Sequence, residues 1–457
     1  MKRLRGLHAL LHDGVEAIVD LVQETHESVA KKPERLLGDV PGLGEGAAVV
    51  GALHGGIASL VYDSIRLVNR GVEAVGGLAV DAADRSGVGQ LVAEQASFAL
   101  DPQVARELTW WSDTAQSALN AWAGDFLARR ENALSIPLEF FVAGKSVACT
   151  PEALRAALPN ATGKLCIFVH GLGCTDATWS FRAREQYGDP DANYGSFLGS
   201  ELGYSAIYVR YNTGLHISQN ARALAGAIDA LLAAYPLPVE ELAIVGHSMG
   251  GLVARGAAHY AQLEQRPWVQ RLRHLLCIGS PHVGASLERA TNVFTHVLMR
   301  FDTPGTQVPA KLLNTRSAGI KDLRFGYVLD EDWTDRDPDA LLRDERNDVP
   351  LVSGVTYGFI AATFTRDPEH PLGRLLGDML VSVPSALGHC PEGRHVRFDL
   401  GEVVFGVHHI AMLNHPEIYQ LVRRFLSSQI LDVACEEVSE TGPLLLPAET
   451  PAETRES

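Results

Sequence analysis

The sequence predicts an α/β protein: a mostly parallel sheet with helices on both faces, preceded by an all-helical N-terminal appendage. Three observations carry this expectation. Apolar runs of strand length recur and alternate with helical patterns, as parallel βα units require. One of them, from Leu242 to Gly246, turns sharply through Gly246-His247-Ser248-Met249-Gly250 into a helix rich in small residues. The first 130 residues, in contrast, carry helical spacing and no strand signal.

In chain order, Leu7, Leu11, Val15, Ile18 and Val22 mark an amphipathic helix that ends near Lys31, Lys32 and Pro33. The segment Ala47–Val68 is the most lipid-like of the chain. Its uncharged part, Ala47–Tyr62, contains His54 and three glycines and is too short to span a bilayer. It is expected to pack its Gly/Ala face on a neighbour, with a membrane-surface helix as the alternative. Helical pattern returns from Gly89 to Arg130, with Trp110, Trp111 and Trp122 expected to fill a core.

Strand signals begin at Ser135–Thr150 and continue at Leu165–Val169, Ser205–Tyr211, Leu242–Gly246, His274–Ala285, Leu351–Phe364 and Arg394–Phe405. Helices are expected near Pro151–Leu158, near Tyr194–Leu202, from Ser218 or Asn220 through Ala233, after Ser248, and from Pro416. The alternation breaks between Thr295 and Val349, which is long for a loop. That segment is expected to be a cap, with Phe294, Val297, Leu298, Met299 and Phe301 facing a cleft. Its acidic half, Glu331–Asp348, holds eight acids against three arginines and is expected to be a solvated outer face. The expected organisation is therefore a helical region at 1–130, a sheet domain at 131–430 with a cap insertion at 295–349, and a disordered acidic tail at 431–457.

Hydrophobic residues make up 46% and charged residues 21%, ordinary values for a globular chain. The formal charge of −16 disfavours nucleic acid as a partner, which would need a basic face. The cysteines at Cys149, Cys166, Cys174, Cys277, Cys390 and Cys435 show no metal-ligand spacing. Reduced thiols and a cytoplasmic setting are expected, with the N-terminal helices as the candidate for peripheral membrane contact. The opening Met1-Lys2-Arg3-Leu4-Arg5 resembles the basic start of a signal peptide, but His8, His12, Asp13 and Glu16 break the apolar core that should follow.

The chemistry is expected at the Gly246–Gly250 turn. A serine in a strand–turn–helix elbow is held in a strained conformation that exposes its hydroxyl at the end of a sheet. Acyl transfer through such a serine also needs a base, a carboxylate to orient that base, and amides for the oxyanion. The turn His170-Gly171-Leu172-Gly173 follows a strand one unit earlier and supplies Leu172 N–H; Met249 N–H, next to the nucleophile, is the second donor. Asp378 follows the Leu351–Phe364 strand and is the candidate acid. His408, His409 and His415 lie between the last strand and the last helix, and spacing alone does not separate His408 from His409. No metal or organic cofactor is expected.

Gly246–Arg255, the His170–Gly173 turn, Gly279–Ala285, Gly377–Ala386 and His408–Tyr419 together resemble bacterial lipases and esterases of the α/β-hydrolase superfamily. The likeness is greatest to the triacylglycerol-lipase and GPI inositol-deacylase-like branch and covers Leu138–Leu426. The resemblance implies Ser248 as nucleophile, Asp378 as triad acid and His409 as base, with Met379 where the family usually has glycine. The implied activity is hydrolysis of an apolar acyl ester through an acyl-serine intermediate. Acyl transfer or polyester cleavage by the same triad, and a non-enzymatic scaffold or membrane-associated module, are the alternatives.

Overall fold

The computed structural model describes residues 102–132, 134–285, 316–340, 346–367, 376–389 and 395–427, with positions 23, 288, 291, 344, 370 and 444–445 besides. The segments at 1–22, 24–101 and 292–315 lie outside it. So do the Ala47–Val68 helix, the apolar residues Phe294 to Phe301 and nearly all of the tail. The chain divides into two units, Met1–Gln116 with Phe294–Thr315, and Ser117–Val293 with Arg316–Ser457.

The centre of the second unit is one sheet in the order β2-β1-β4-β3-β5-β6-β7-β8-β9. The strands are β1 Glu139–Val142, β2 Lys145–Val147, β3 Lys164–Val169, β4 Ser205–Arg210, β5 Glu241–His247, β6 Leu272–Ile278, β7 Thr356–Thr363, β8 Leu400–Phe405 and β9 Leu444–Leu445. Strands β3 to β9 pair in parallel, whereas β1 runs antiparallel to both β4 and β2. The single strand region expected over Ser135–Thr150 is thus a hairpin. Ala143 and Gly144 form its two-residue loop with φ of 48° and 73°, the left-handed pair that a tight hairpin turn demands.

Alternation along the central strands separates two cores. Leu165, Ile167, Val169, Leu242 and Ile244 face one side, where they meet helices α3 Ile217–Ala234 and α4 Met249–Leu263. Cys166, Phe168, Ala243 and Val245 face the other, against α2 Tyr194–Leu202 and α5 Pro416–Ser427. Strands buried on both faces are what unbroken apolar runs encode. Each fully buried Leu or Ile contributes about 1.5–3 kcal/mol, so the two layers hold the sheet rigidly. A rigid sheet fixes the loops at its carboxyl edge.

Helix α1, Pro102–Arg129, crosses from one unit into the other, and Ser117–Arg129, placed with the helical region by pattern alone, belongs to the sheet's unit. Ser117 Oγ donates to Cys174 O at 2.6 Å, and Asn120 bonds both Leu134 O and Ile136 N. The helix kinks at Ala123, beside the point where Asn212 Nδ2 donates to Gly124 O at 2.9 Å, so a side chain has entered the helical ladder.

The described part of the expected cap, 316–340 with 346–349, packs along α3 and α4. Trp333 stacks on His216 with ring centroids 3.7 Å apart and donates to Ser218 Oγ. Asp330 pairs with Arg222 at 2.8 Å, and its N–H donates to Tyr260 Oη. The acidic run is not wholly an outer face either. Asp332 is 1% exposed, because its carboxylate accepts from the Val328, Leu329 and Asn347 amides at 2.7–2.9 Å. A run of acids looks solvated in sequence, but one member can turn inward wherever a tight loop leaves N–H groups unpaired.

No helix among the described residues is long and apolar enough to cross a membrane.

Candidate active site

The elbow forms as the motif requires. Ser248 sits between β5 and α4 with φ 54° and ψ −126°, a conformation that costs a non-glycine residue of order 1–3 kcal/mol. Backbone bonds hold it there. Ser248 N–H donates to Ile278 O at 2.8 Å, and Ser248 O accepts from Gly251 N at 3.1 Å. Gly250 shows why this helix must open on small residues: a Cβ there would lie 2.2 Å from Val169 O and 2.5 Å from His170 O. The start of α4 is therefore pressed against the exit of β3.

That approach brings the His170–Gly173 turn to the serine. A Cβ on Gly171 would lie 2.8 Å from Ser248 Cβ. Tyr211 fixes the turn, stacking on the His170 ring at 4.6 Å and donating from its hydroxyl to His170 O at 2.7 Å. The Leu172 and Met249 N–H groups have no acceptor among the described residues. Both belong to the backbone that flanks Ser248.

Asp378 and His409 reach the same edge from β7 and β8. His409 Nδ1 donates to Asp378 Oδ2 at 2.6 Å, and His409 N–H donates to Asp378 O at 3.0 Å. Asp378 Oδ1 accepts from the Leu380 and Val381 amides at 3.0 and 2.9 Å, so the carboxylate is fully engaged though only 1% exposed. Buried carboxylates need such partners. The pair lies close to the elbow. Gly279 follows the residue that accepts from Ser248 N–H, and a Cβ on it would lie 3.3 Å from Asp378 Oδ2 and 3.4 Å from His409 Cε1. Ser248 makes no side-chain hydrogen bond to His409; catalytic contacts of this kind commonly form only in the complex with substrate.

His408 is exposed and caps the 3₁₀ turn His409–Leu413, its Nδ1 facing Ala411 N at 3.4 Å. His415 exchanges backbone bonds with the Tyr194 hydroxyl at the start of α5. Of the three histidines, only His409 meets Asp378.

One residue was not singled out from the sequence. His247, inside the elbow motif, bridges the site: its Nε2 donates to His409 O at 3.1 Å, while its ring lies 4.7 Å from the His409 ring. Its place directly before Ser248 was the available signal. Met379, which stands where the family pattern usually has glycine, adopts φ 87° in the loop that presents Asp378. A glycine there would adopt it without steric cost. Met379→Gly is expected to keep activity and to change stability by no more than about 1 kcal/mol, strain relief offsetting lost chain stiffness. Met379→Val, β-branched at positive φ, is expected to cost about 2 kcal/mol and to lower turnover. Denaturant midpoints and ester turnover on the two variants check this; equal behaviour contradicts it.

The buried histidines make the site acid-sensitive. Burial pushes the His170 imidazole down to about 4 from its ordinary 6.5, and holds His247 well below that value. The folded-state value is depressed, so the unfolded chain takes the proton first as pH falls. Stability is full above pH 6.5 and is lost on the way down to about 4, by about 3 kcal/mol for His170 alone. Urea unfolding between pH 7 and 4.5 should show this slope, and His170→Phe should flatten it. An unchanged slope in that variant contradicts the assignment.

Comparison with known proteins places the fold. Residues 161–343 match the model of the PGAP1-like alpha/beta domain family. The fold is that of the α/β hydrolases. The matched stretch contains the His170–Gly173 turn and the Gly246–Gly250 elbow and stops short of Asp378 and His409. Comparison with curated proteins finds no match. Among solved structures the chain is similar to the lin2722 gene product from Listeria innocua, at 15% identity and a TM-score of 0.34, covering 62% of this chain and 98% of that one. It is also similar to phospholipase PlaB from Legionella pneumophila (16%, 0.35, 58% of this chain and 60% of that one). A third is the RedJ thioesterase from Streptomyces coelicolor (17%, 0.32, 58% and 85%). At these identities and scores they speak to neither substrate nor activity.

Proposed function

We propose that this α/β-hydrolase-fold chain is a serine hydrolase that cleaves carboxylic esters through an acyl-enzyme. The observation that carries the reading is the His409–Asp378 hydrogen bond of 2.6 Å beside a serine held at φ 54°. With its Nδ1 proton committed to Asp378, His409 presents Nε2 as a base. It takes the Ser248 proton as Oγ attacks the ester carbonyl, and returns it to the departing alcohol. The C–O bond of the leaving group breaks, and an acyl-serine remains. Water, deprotonated by the same imidazole, then releases the acid. The Leu172 and Met249 amides, without acceptors among the described residues, bind the oxyanion in both steps. An apolar acyl ester is the substrate class the reading favours.

A panel of fluorogenic esters of short and long acyl chain tests it, with wild type and Ser248→Ala side by side. Turnover by wild type alone is the expected result. Equal activity in both proteins, or none in either, goes against a Ser248 ester hydrolase; turnover that appears only with an added alcohol acceptor points to acyl transfer instead.

A further inference from the structure

Arg255 lies on α4, two turns beyond Ser248, and is only 5% exposed. A guanidinium this deep ordinarily faces a carboxylate, because an unmatched buried charge is strongly unfavourable. Arg255 has no such partner among the described residues. Its hydrogen bond is to His282 Nδ1, at 2.9 Å, and its Nε has no acceptor. That bond fixes the neighbouring ring. Arginine can only donate, so His282 Nδ1 accepts and the imidazole proton sits on Nε2. His282 Nε2 is also without a partner among the described residues, in a side chain 3% exposed. Two adjoining side chains thus hold buried donors that no described residue receives.

Both residues line a cavity of 570 Å³. None of Ser248, Asp378 and His409 lines it. Arg346 and Arg397 add further guanidiniums to the wall, Arg346 held by His282 O at 3.1 Å, Phe325 O at 3.0 Å and Asp344 at 2.9 Å. The acids of the wall are Asp348 and Asp399, and Asp399 already accepts from Tyr357 N–H at 2.7 Å. Neither carboxylate is hydrogen-bonded to Arg255 or His282, whose free donors are left without an anionic acceptor among the described residues.

We propose that this cavity binds a small oxyanion, a carboxylate or phosphate group, whose oxygens accept from Arg255 and His282. A guanidinium fork matches the paired oxygens of either group. A cavity of this size takes a small molecule bearing that group.

Thermal unfolding of the full chain in sodium phosphate and in sodium acetate, each matched in ionic strength with sodium chloride, tests the site and separates the two groups. At least one anion should raise the wild-type Tm by about 5 °C at a hundredfold excess over its Kd. Arg255→Met should unfold at higher temperature than wild type without anion, since an unmatched buried charge is gone, and should show no anion-dependent rise. Arg255→Lys, which keeps the charge but loses the fork, should bind about tenfold more weakly. Asp348→Asn should retain the rise. Equal rises in wild type and Arg255→Met overturn the proposal, as does no rise in wild type with either anion. A rise confined to Asp348→Asn also overturns it, by making Asp348 the native partner of Arg255.

Discussion

Ser248→Ala is expected to lower ester turnover by about 10⁴- to 10⁶-fold while leaving the fold intact. The size of the loss follows from the chemistry: without Oγ there is no covalent intermediate, and the oxyanion amides alone give only residual rate. The intact fold follows from the elbow's construction. Ser248 is held by its backbone, through Ile278 O and Gly251 N, and alanine keeps both bonds and the Cβ that abuts Gly171. Its hydroxyl makes no hydrogen bond among the described residues that the fold would miss. Melting temperature and turnover, measured on one preparation, should therefore part company. A variant that keeps a tenth of wild-type rate removes Ser248 from the mechanism.

The second large effect separates neighbouring histidines. His409→Gln is expected to reduce turnover by a similar factor, and Asp378→Asn by about 10⁴-fold, because an amide at that position no longer holds the Nδ1–H tautomer. His408→Ala should cost at most a few-fold, since its structural role is one 3.4 Å cap of a 3₁₀ turn. The proper readout is kcat, with folding checked by near-ultraviolet circular dichroism. Removing His409 leaves the buried Asp378 Oδ2 without a donor, so some loss of stability accompanies that variant and not His408→Ala. Equal losses at 408 and 409 would mean that the 2.6 Å bond has no catalytic role.

Much of this was legible in the chain because burial on both faces of a strand leaves an unbroken apolar run. Leu165–Val169 and Leu242–Val245 announce themselves that way, and the glycines of the elbow mark where backbones must touch. The choice between His408 and His409 was not legible from spacing. Adjacent residues point in different directions, and only the path of the loop after β8 decides which ring meets Asp378; the family pattern pointed to His409, and that ring makes the contact. The β1–β2 hairpin was hidden because Ala143 is an unusual residue for a left-handed turn position. Asp332 looked like surface because composition does not show which acids cap a buried loop. Arg255 stood within the recognised Gly246–Arg255 motif, but its burial without a carboxylate depends on what lies across the cavity. His247 was visible only as a neighbour of the nucleophile, and its bond to His409 O depends on a loop 162 residues away.

The most direct measurement of the central claim is covalent labelling by a fluorophosphonate, followed by intact mass and peptide mapping. Such a probe phosphonylates a serine only when a base and an oxyanion site act on it together. The account predicts one adduct per chain, located on Ser248, absent from Ser248→Ala and strongly slowed in His409→Gln but not in His408→Ala. An adduct elsewhere, or a Ser248 that stays unlabelled in the folded protein, would contradict it.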